Sequence, residues 1–146
     1  MTIRQMQIND YEAVYQLWQK TPGMGLNTTD DSREGIAAYL NRNPKTCFVA
    51  EEAGRVIGAI LAGHDGRRGY LYHLAVLPMN RQSGIGRALA EHAMKALQHE
   101  GIHKVALVVF SNNEGGNSFW EKIGFDVRED LVYRNKSITE LTMIET

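Results

Sequence analysis

The twelve residues RQSGIGRALAEH, from Arg81 to His92, constrain this chain more than any other stretch. They put Gly84 and Gly86 directly ahead of a helical pattern and shortly after the apolar run GYLYHLAVL at 69–77. A glycine inside a helix is roughly 1 kcal/mol less favourable than alanine, so two at a helix entrance need a reason. In a strand–turn–helix unit, unpaired backbone N–H groups and the positive end of the helix dipole face outward together. A glycine-rich turn at that place cradles an anion, because a phosphate can lie against the amides where no Cβ intervenes. Arg81 and Arg87 add positive charge. A dinucleotide fingerprint would need a third glycine at 89 and an acidic residue about 20 positions on. Leu89 stands at the first position, and Lys104, Val105 and Ala106 occupy the second region. A Walker loop needs Gly-Lys-Ser/Thr, which the chain lacks. On the glycines alone, an anion cradle and a ligand-free glycine-rich N-cap both remain open.

The flanking pattern sets the fold class. Residues 2–7 read as a first strand, and Asn9 with Glu12 as a capping box opening a helix that carries Val14, Leu17 and Trp18 on one face. A loop with Pro22, Gly23 and Gly25 follows. Asp31 with Glu34 reads as a second capping box, before a helix presenting Ile36, Tyr39 and Leu40 that ends at Pro44. Residues 46–52, 55–65 and 69–77 form three antiparallel strands, the first two joined at Ala53-Gly54. The helix over about 84–99 has Leu89, Ala93, Met94 and Leu97 on one face and Gly101 beyond its end. Residues 103–110 are apolar enough to predict a central strand, and 113–122 a further helix closed by Gly124. Residues 125–134 and 138–145, flanking Asn135-Lys136, predict a final hairpin. The expected order is β-α-α-β-β-β-α-β-α-β-β. That is an α/β (α+β) fold with a mixed, mostly antiparallel sheet and helices on both faces.

With 146 residues, a single domain over 1–146 is expected. A net charge of −1 leaves no basic footprint for nucleic acid. No apolar run approaches membrane-spanning length, and the first residues do not form a signal peptide, so a cytoplasmic location without membrane association is expected. The one cysteine, Cys47, sits in an apolar run and reads as a small buried hydrophobe. The five histidines are scattered, so no metal-ligand spacing is present and no metal is expected.

The segment HLAVLPMNRQSGIGRAL resembles the acetyl-CoA signature of the GNAT family of N-acetyltransferases. Val76 and Pro78 end a strand, Arg81-x-x-Gly84-x-Gly86 follows, and then the helix. Downstream, NEGGNSFWEKIGF resembles the family's later motif through Asn113, Phe119-Trp120 and Gly124-Phe125. The resemblance implies a sheet that opens beside its fourth strand to receive the pantetheine arm. It implies backbone contacts to that arm at Leu74, Ala75 and Val76, with one N–H polarising the thioester carbonyl. It further implies a pyrophosphate cradle at Arg81, Gln82, Ser83, Gly84, Ile85, Gly86 and Arg87, with Asn113 beside the pantetheine and Trp120 near the sulfur. The implied reaction is direct acetyl transfer from acetyl-CoA to a primary amine of a small molecule, peptide or protein.

The catalytic groups depart from common family patterns. Tyr72 stands six residues before the proline, where many members carry glutamate, and Trp120 stands where many carry an acidic tyrosine. Tyr72 and His73 are the candidate catalytic residues, with strand alternation placing Tyr72 and Leu74 on one face and His73 on the other. The tract from His64 and Asp65 to Arg67 and Arg68 is first a turn and second a candidate anion contact. Asp30, Asp31 and Glu34 are first helix-capping residues and second an attraction for a cationic amine. The departures at Tyr72 and Trp120 make a non-catalytic acyl-CoA-binding sensor or interaction module the alternative function. The last two strands offer an edge for a possible homodimer.

Overall fold

The computed structural model describes all 146 residues. Five strands form the main sheet in the order β1-β3-β4-β5-β6: β1 is Thr2–Gln5, β3 Phe48–Glu52, β4 Arg55–His64, β5 Gly69–Val76 and β6 Val105–Ala106. The first four are antiparallel neighbours, and β6 lies parallel to β5. The strand β4 is central, with Ile57 to Gly63 buried without interruption. Helices therefore cover both of its faces. A Cβ at Gly58 would meet Leu89 and Ile85 of α3 (Ile85–His99), whereas one at Gly63 would meet Tyr39 and Asn43, at the end of α2 (Arg33–Arg42). On the α2 side, α1 (Tyr11–Gln19) buries Val14, Leu17 and Trp18. Across the sheet, α3 buries Leu89, Ala90, Ala93 and Leu97 along one stripe. Each large apolar side chain so buried stabilises the fold by roughly 1.5–3 kcal/mol. The fourth helix, α4, is Glu114–Lys122. No helix is long and apolar enough to cross a membrane.

The mixed, mostly antiparallel fold class stands, but the order reads β-α-β-α-β-β-β-α-β-α-β, which corrects the expectation at the C-terminal end. The expected final hairpin does not form. A turn closed by Leu131 N–H donating to the Arg128 carbonyl, with Arg128 forked onto Asp130, interrupts the alternating pattern of 125–134. The strand β7 (Met143–Ile144) pairs instead with the short β2 (Leu26–Asn27) in the α1–α2 loop. Residues 103–110 are not a central strand. Only two of them pair, nothing covers their far side, and Val108 and Phe110 are more than half exposed.

Neither expected capping box forms. Asp10, not Glu12, reaches back to the Gln7 N–H at 2.8 Å, through a short 3-10 turn over Ile8–Asp10, and also accepts a two-pronged contact from Arg4. Ser32, not Asp31, caps α2 by accepting the Gly35 N–H at 3.0 Å. Asp31 is thereby free for another partner.

Candidate active site

The sheet opens beside β5. Its pairing with β6 covers only Gly69 with Val105 and Tyr70 with Ala106. Beyond that, β5 continues to Val76 while the other chain leaves the sheet, so Leu74, Ala75 and Val76 have β4 on one side and no strand on the other. An opening of this kind accepts an extended chain through backbone hydrogen bonds. Phe110, four residues past β6, lines a groove of about 400 Å³ with Gly23, Gly25 and the last four residues, Met143 to Thr146. A second hollow of about 360 Å³ lies between α1, β1 and the β3–β4 turn and reaches Leu77, just past β5. Its Arg4, Asp10 and Glu51 are bound to one another.

A bulge shapes the same strand. Leu61 faces Tyr72 and Ala59 faces Ala75, so one residue of β4 opposes two of β5. His73 takes up the extra length at φ 52°, a region that a non-glycine side chain rarely occupies. The bulge corrects the expected alternation. Tyr72 touches Tyr39 of α2, with ring centroids 6.1 Å apart, and His73 lies 5.0 Å from Trp18 of α1. Both therefore lie on the α1–α2 side, with their own rings 6.1 Å apart. Past the bulge the parity reverses, and Val76 lies toward Gly86 of α3.

At the other end of β5, a 3-10 turn over Pro78–Asn80 leads into the glycine turn. Gln82 (φ 64°) and Gly84 (φ 84°) are both left-handed, and the Ser83 hydroxyl donates to the Asn80 carbonyl. The first α3 bond runs from Ala88 N–H to Gly84 O, which leaves the amides of Ile85, Gly86 and Arg87 without helical partners. The two glycines have different reasons. A Cβ at Gly84 would meet open space, so the turn itself demands glycine there. A Cβ at Gly86 would sit 3.4 Å from the Phe119 ring of α4, so the closest neighbour of Gly86 is a side chain. Arg81 Nε donates to the Val76 carbonyl at 3.0 Å, at the mouth of the opening, and Arg87 pairs with Glu91 along the exposed helix.

The later motif packs close by. Asn113 caps α4 by accepting the Gly116 N–H at 2.9 Å, which commits its oxygen and leaves its amide nitrogen near Gly23. Trp120 is half-buried in an edge-to-face trio with Phe119 and Phe125. The Tyr72 hydroxyl has its pKa raised, chiefly by burial, so it stays protonated beyond the ordinary range of tyrosine.

The tract His64–Arg68 is not part of this constellation. His64 is held between Glu100 and the Gly66 N–H, and Asp65 accepts the amides of Arg67 and Arg68. Eight residues of β5, about 23 Å of strand, separate that turn from the glycine turn, so neither arginine reaches a phosphate there. Sequence reasoning assigned Asp31 to a cap, yet its Oδ1 lies 2.8 Å from His73 Nε2. Phe119 beneath Gly86 and Trp18 beside His73 were missed, because no spacing links such distant positions.

The family model described as the acetyltransferase (GNAT) family matches residues 11–125. The chain is a GNAT acetyltransferase. An acetyltransferase of Sodalis glossinidius is 34% identical over 140 residues, 96% of this chain and 97% of the relative. The Ard1 structure from Thermoplasma volcanium has TM-score 0.77 at 24% identity, covering 87% of this chain and 83% of its own. A PaiA N-acetyltransferase from Thermoplasma acidophilum, solved with coenzyme A, has TM-score 0.76 at 22% identity, covering 97% and 96%. As a GNAT acetyltransferase the chain is an acyltransferase whose acetyl donor is acetyl-CoA. The glycine turn fits such a donor, since the amides of Ile85, Gly86 and Arg87 have no helical partners and a Cβ at Gly84 would meet open space.

Proposed function

We propose that this acetyltransferase moves the acetyl group directly to a primary amine of a small molecule, peptide or protein. The observation that carries the reading is the opening between β5 and β6, paired at two residues and continuous with the glycine turn. On this reading Leu74, Ala75 and Val76 bond the pantetheine arm. The amides of Gln82, Ser83, Gly84, Ile85, Gly86 and Arg87 hold the pyrophosphate, and Arg81 adds positive charge beside them. Each such charge-assisted bond is worth roughly 1.5–3 kcal/mol. Asn113 and Trp120 flank the arm on its α4 side. The amine enters by the groove at Gly23, Gly25 and Phe110 and meets the thioester beside Tyr72 and His73.

A lysine-type amine must lose a proton to attack, at about 4.6 kcal/mol at pH 7. Tyr72 does not serve as the base, because burial raises its pKa, but its hydroxyl can orient the amine or a relay water. Acetyl-CoA titration by calorimetry, followed by an amine panel with mass detection, tests the reading. Tight binding with no amine acetylated favours the non-catalytic sensor instead.

Self-association extends the proposal. Between 126 and 141 the only backbone–backbone hydrogen bond is Leu131 to Arg128, and Val127, Val132 and Ile138 stand on the surface. A second copy of the same stretch offers matching unpaired backbone N–H and C=O groups. A monomer in sedimentation at micromolar concentration would remove this extension.

A further inference from the structure

Asp31 is a carboxylate that its own helix does not use. It is 4% exposed and immediately precedes Ser32, which caps α2. Its Oδ2 accepts the Asn27 N–H at 2.9 Å, and its backbone carbonyl accepts the Tyr11 hydroxyl at 2.7 Å. Two elements thus fix the carboxylate before any catalytic demand arises. The remaining oxygen, Oδ1, meets His73 Nε2 at 2.8 Å. A buried carboxylate is tolerated only when paired and hydrogen-bonded, and this one is both.

His73 is equally constrained. Its ring stands edge-on to Trp18, which is wholly buried, and its side chain is 13% exposed. Its φ of 52° is the kind of backbone outlier that concentrates at functional sites. The same outlier makes the bulge that sets the ring beside Tyr72 along the opening. The groups facing the imidazole are Asp31 from the α1–α2 loop, the neutral indole of Trp18 from α1 and the phenol of Tyr72 on β5.

We infer that Asp31 is a positioning residue that sets His73 as the base for the acceptor amine. The inference rests on the acetyl-transfer reading of the opening. Accepting from Nε2–H, Asp31 holds the neutral ring in the tautomer whose lone pair is on Nδ1, and no protein group occupies Nδ1. The amine nitrogen bonds the acetyl carbonyl carbon, the carbon–sulfur bond breaks, and CoA leaves as thiolate. The proton lost by the amine goes to Nδ1, and Asp31 stabilises the imidazolium that results. Solvent then takes the proton, and the ring returns to its starting state.

The test has two readouts. In protein with 15N-labelled histidine, long-range proton–nitrogen correlation is expected to show the Nε2–H tautomer of His73 in the wild type. In Asp31→Asn, whose amide can donate to Nε2, the Nδ1–H tautomer is expected. With the best acceptor of the amine panel, Asp31→Asn is expected to lower kcat roughly 100-fold, with KM for acetyl-CoA changed less than about twofold. His73→Gln should match it, and the double variant should be no slower than His73→Gln. The pH profile of kcat/KM should change in both variants, and by the same amount in the double variant as in His73→Gln. A wild-type Nδ1–H tautomer overturns the inference, as does an Asp31→Asn protein with wild-type kcat. If Asp31→Asn does not fold, the wild-type tautomer and the pH profile of His73→Gln decide. If no amine is acetylated although acetyl-CoA binds, the acetyl-transfer reading fails, while the tautomer still judges the pairing.

Discussion

Gly84 and Gly86 stand two positions apart and answer to different neighbours. Gly84→Ala adds a methyl group in the open space in front of the cradle and strains a left-handed residue by on the order of 1 kcal/mol. It is expected to weaken acetyl-CoA binding about tenfold, read by calorimetry at a temperature where the variant is folded. Gly86→Val drives branched carbons toward the Phe119 ring and is expected chiefly to lower the melting temperature. If Gly86→Val melts like the wild type but loses affinity, the cradle extends over both glycines. Tyr72→Phe belongs to the same scale. Burial holds the phenol protonated, so removing it should reduce turnover less than about 100-fold and leave the shape of the pH–rate profile unchanged. A lost limb in that profile would make Tyr72 an acid–base group after all.

Whole elements follow the sequence where its periodicity has a packing partner, and depart from it where none exists. The stripe Leu89–Ala93–Leu97 is buried as read, because a sheet face lies beneath it. The alternation of 125–134 has no strand to meet, and the fork of Arg128 onto Asp130 closes a turn in its midst. The glycine turn was legible because dipole, amides and turn chemistry lie within one short stretch. The bulge was not, since nothing in Tyr72-His73 distinguishes a regular strand from one with an extra residue, and that residue decides which face His73 shares. Asp31 was misread because Asp31 and Ser32 are both good caps, and only the fold chose between them. Within α4, Trp120→Ala removes the middle ring of a trio and should destabilise by about 2 kcal/mol, less than a fully buried tryptophan. It should also raise KM for acetyl-CoA, whereas Trp120→Tyr should keep or increase turnover. Two destabilised variants with unaltered acetyl-CoA kinetics would make Trp120 a packing residue alone.

Across the whole molecule, alkaline pH loads several buried groups in one direction. Burial pushes the Cys47 thiol from its ordinary 9.0 up to about 12, and Tyr70 from 10.0 up to about 12, while Tyr39 is raised as well. In the unfolded chain these groups lose their protons first, so between about pH 9 and 12 the folded state holds more protons than the unfolded one. Stability must then fall as pH rises, after being insensitive to these groups below about pH 9. Urea midpoints at successive pH values should show that decline, and Cys47→Ala should remove its earliest part. Across the sheet, the two pairs that join β5 to β6 are the whole backbone connection between the main sheet and the chain beyond it. On the proposed reading the donor is a removable structural member, completing the sheet across a seam that the polypeptide leaves open. Ligand at a hundred times its Kd would add about 2.7 kcal/mol to stability. The amides of 107–110 would exchange with solvent freely without donor and slowly with it, so the chain would be sturdiest when charged with the group it is about to give away.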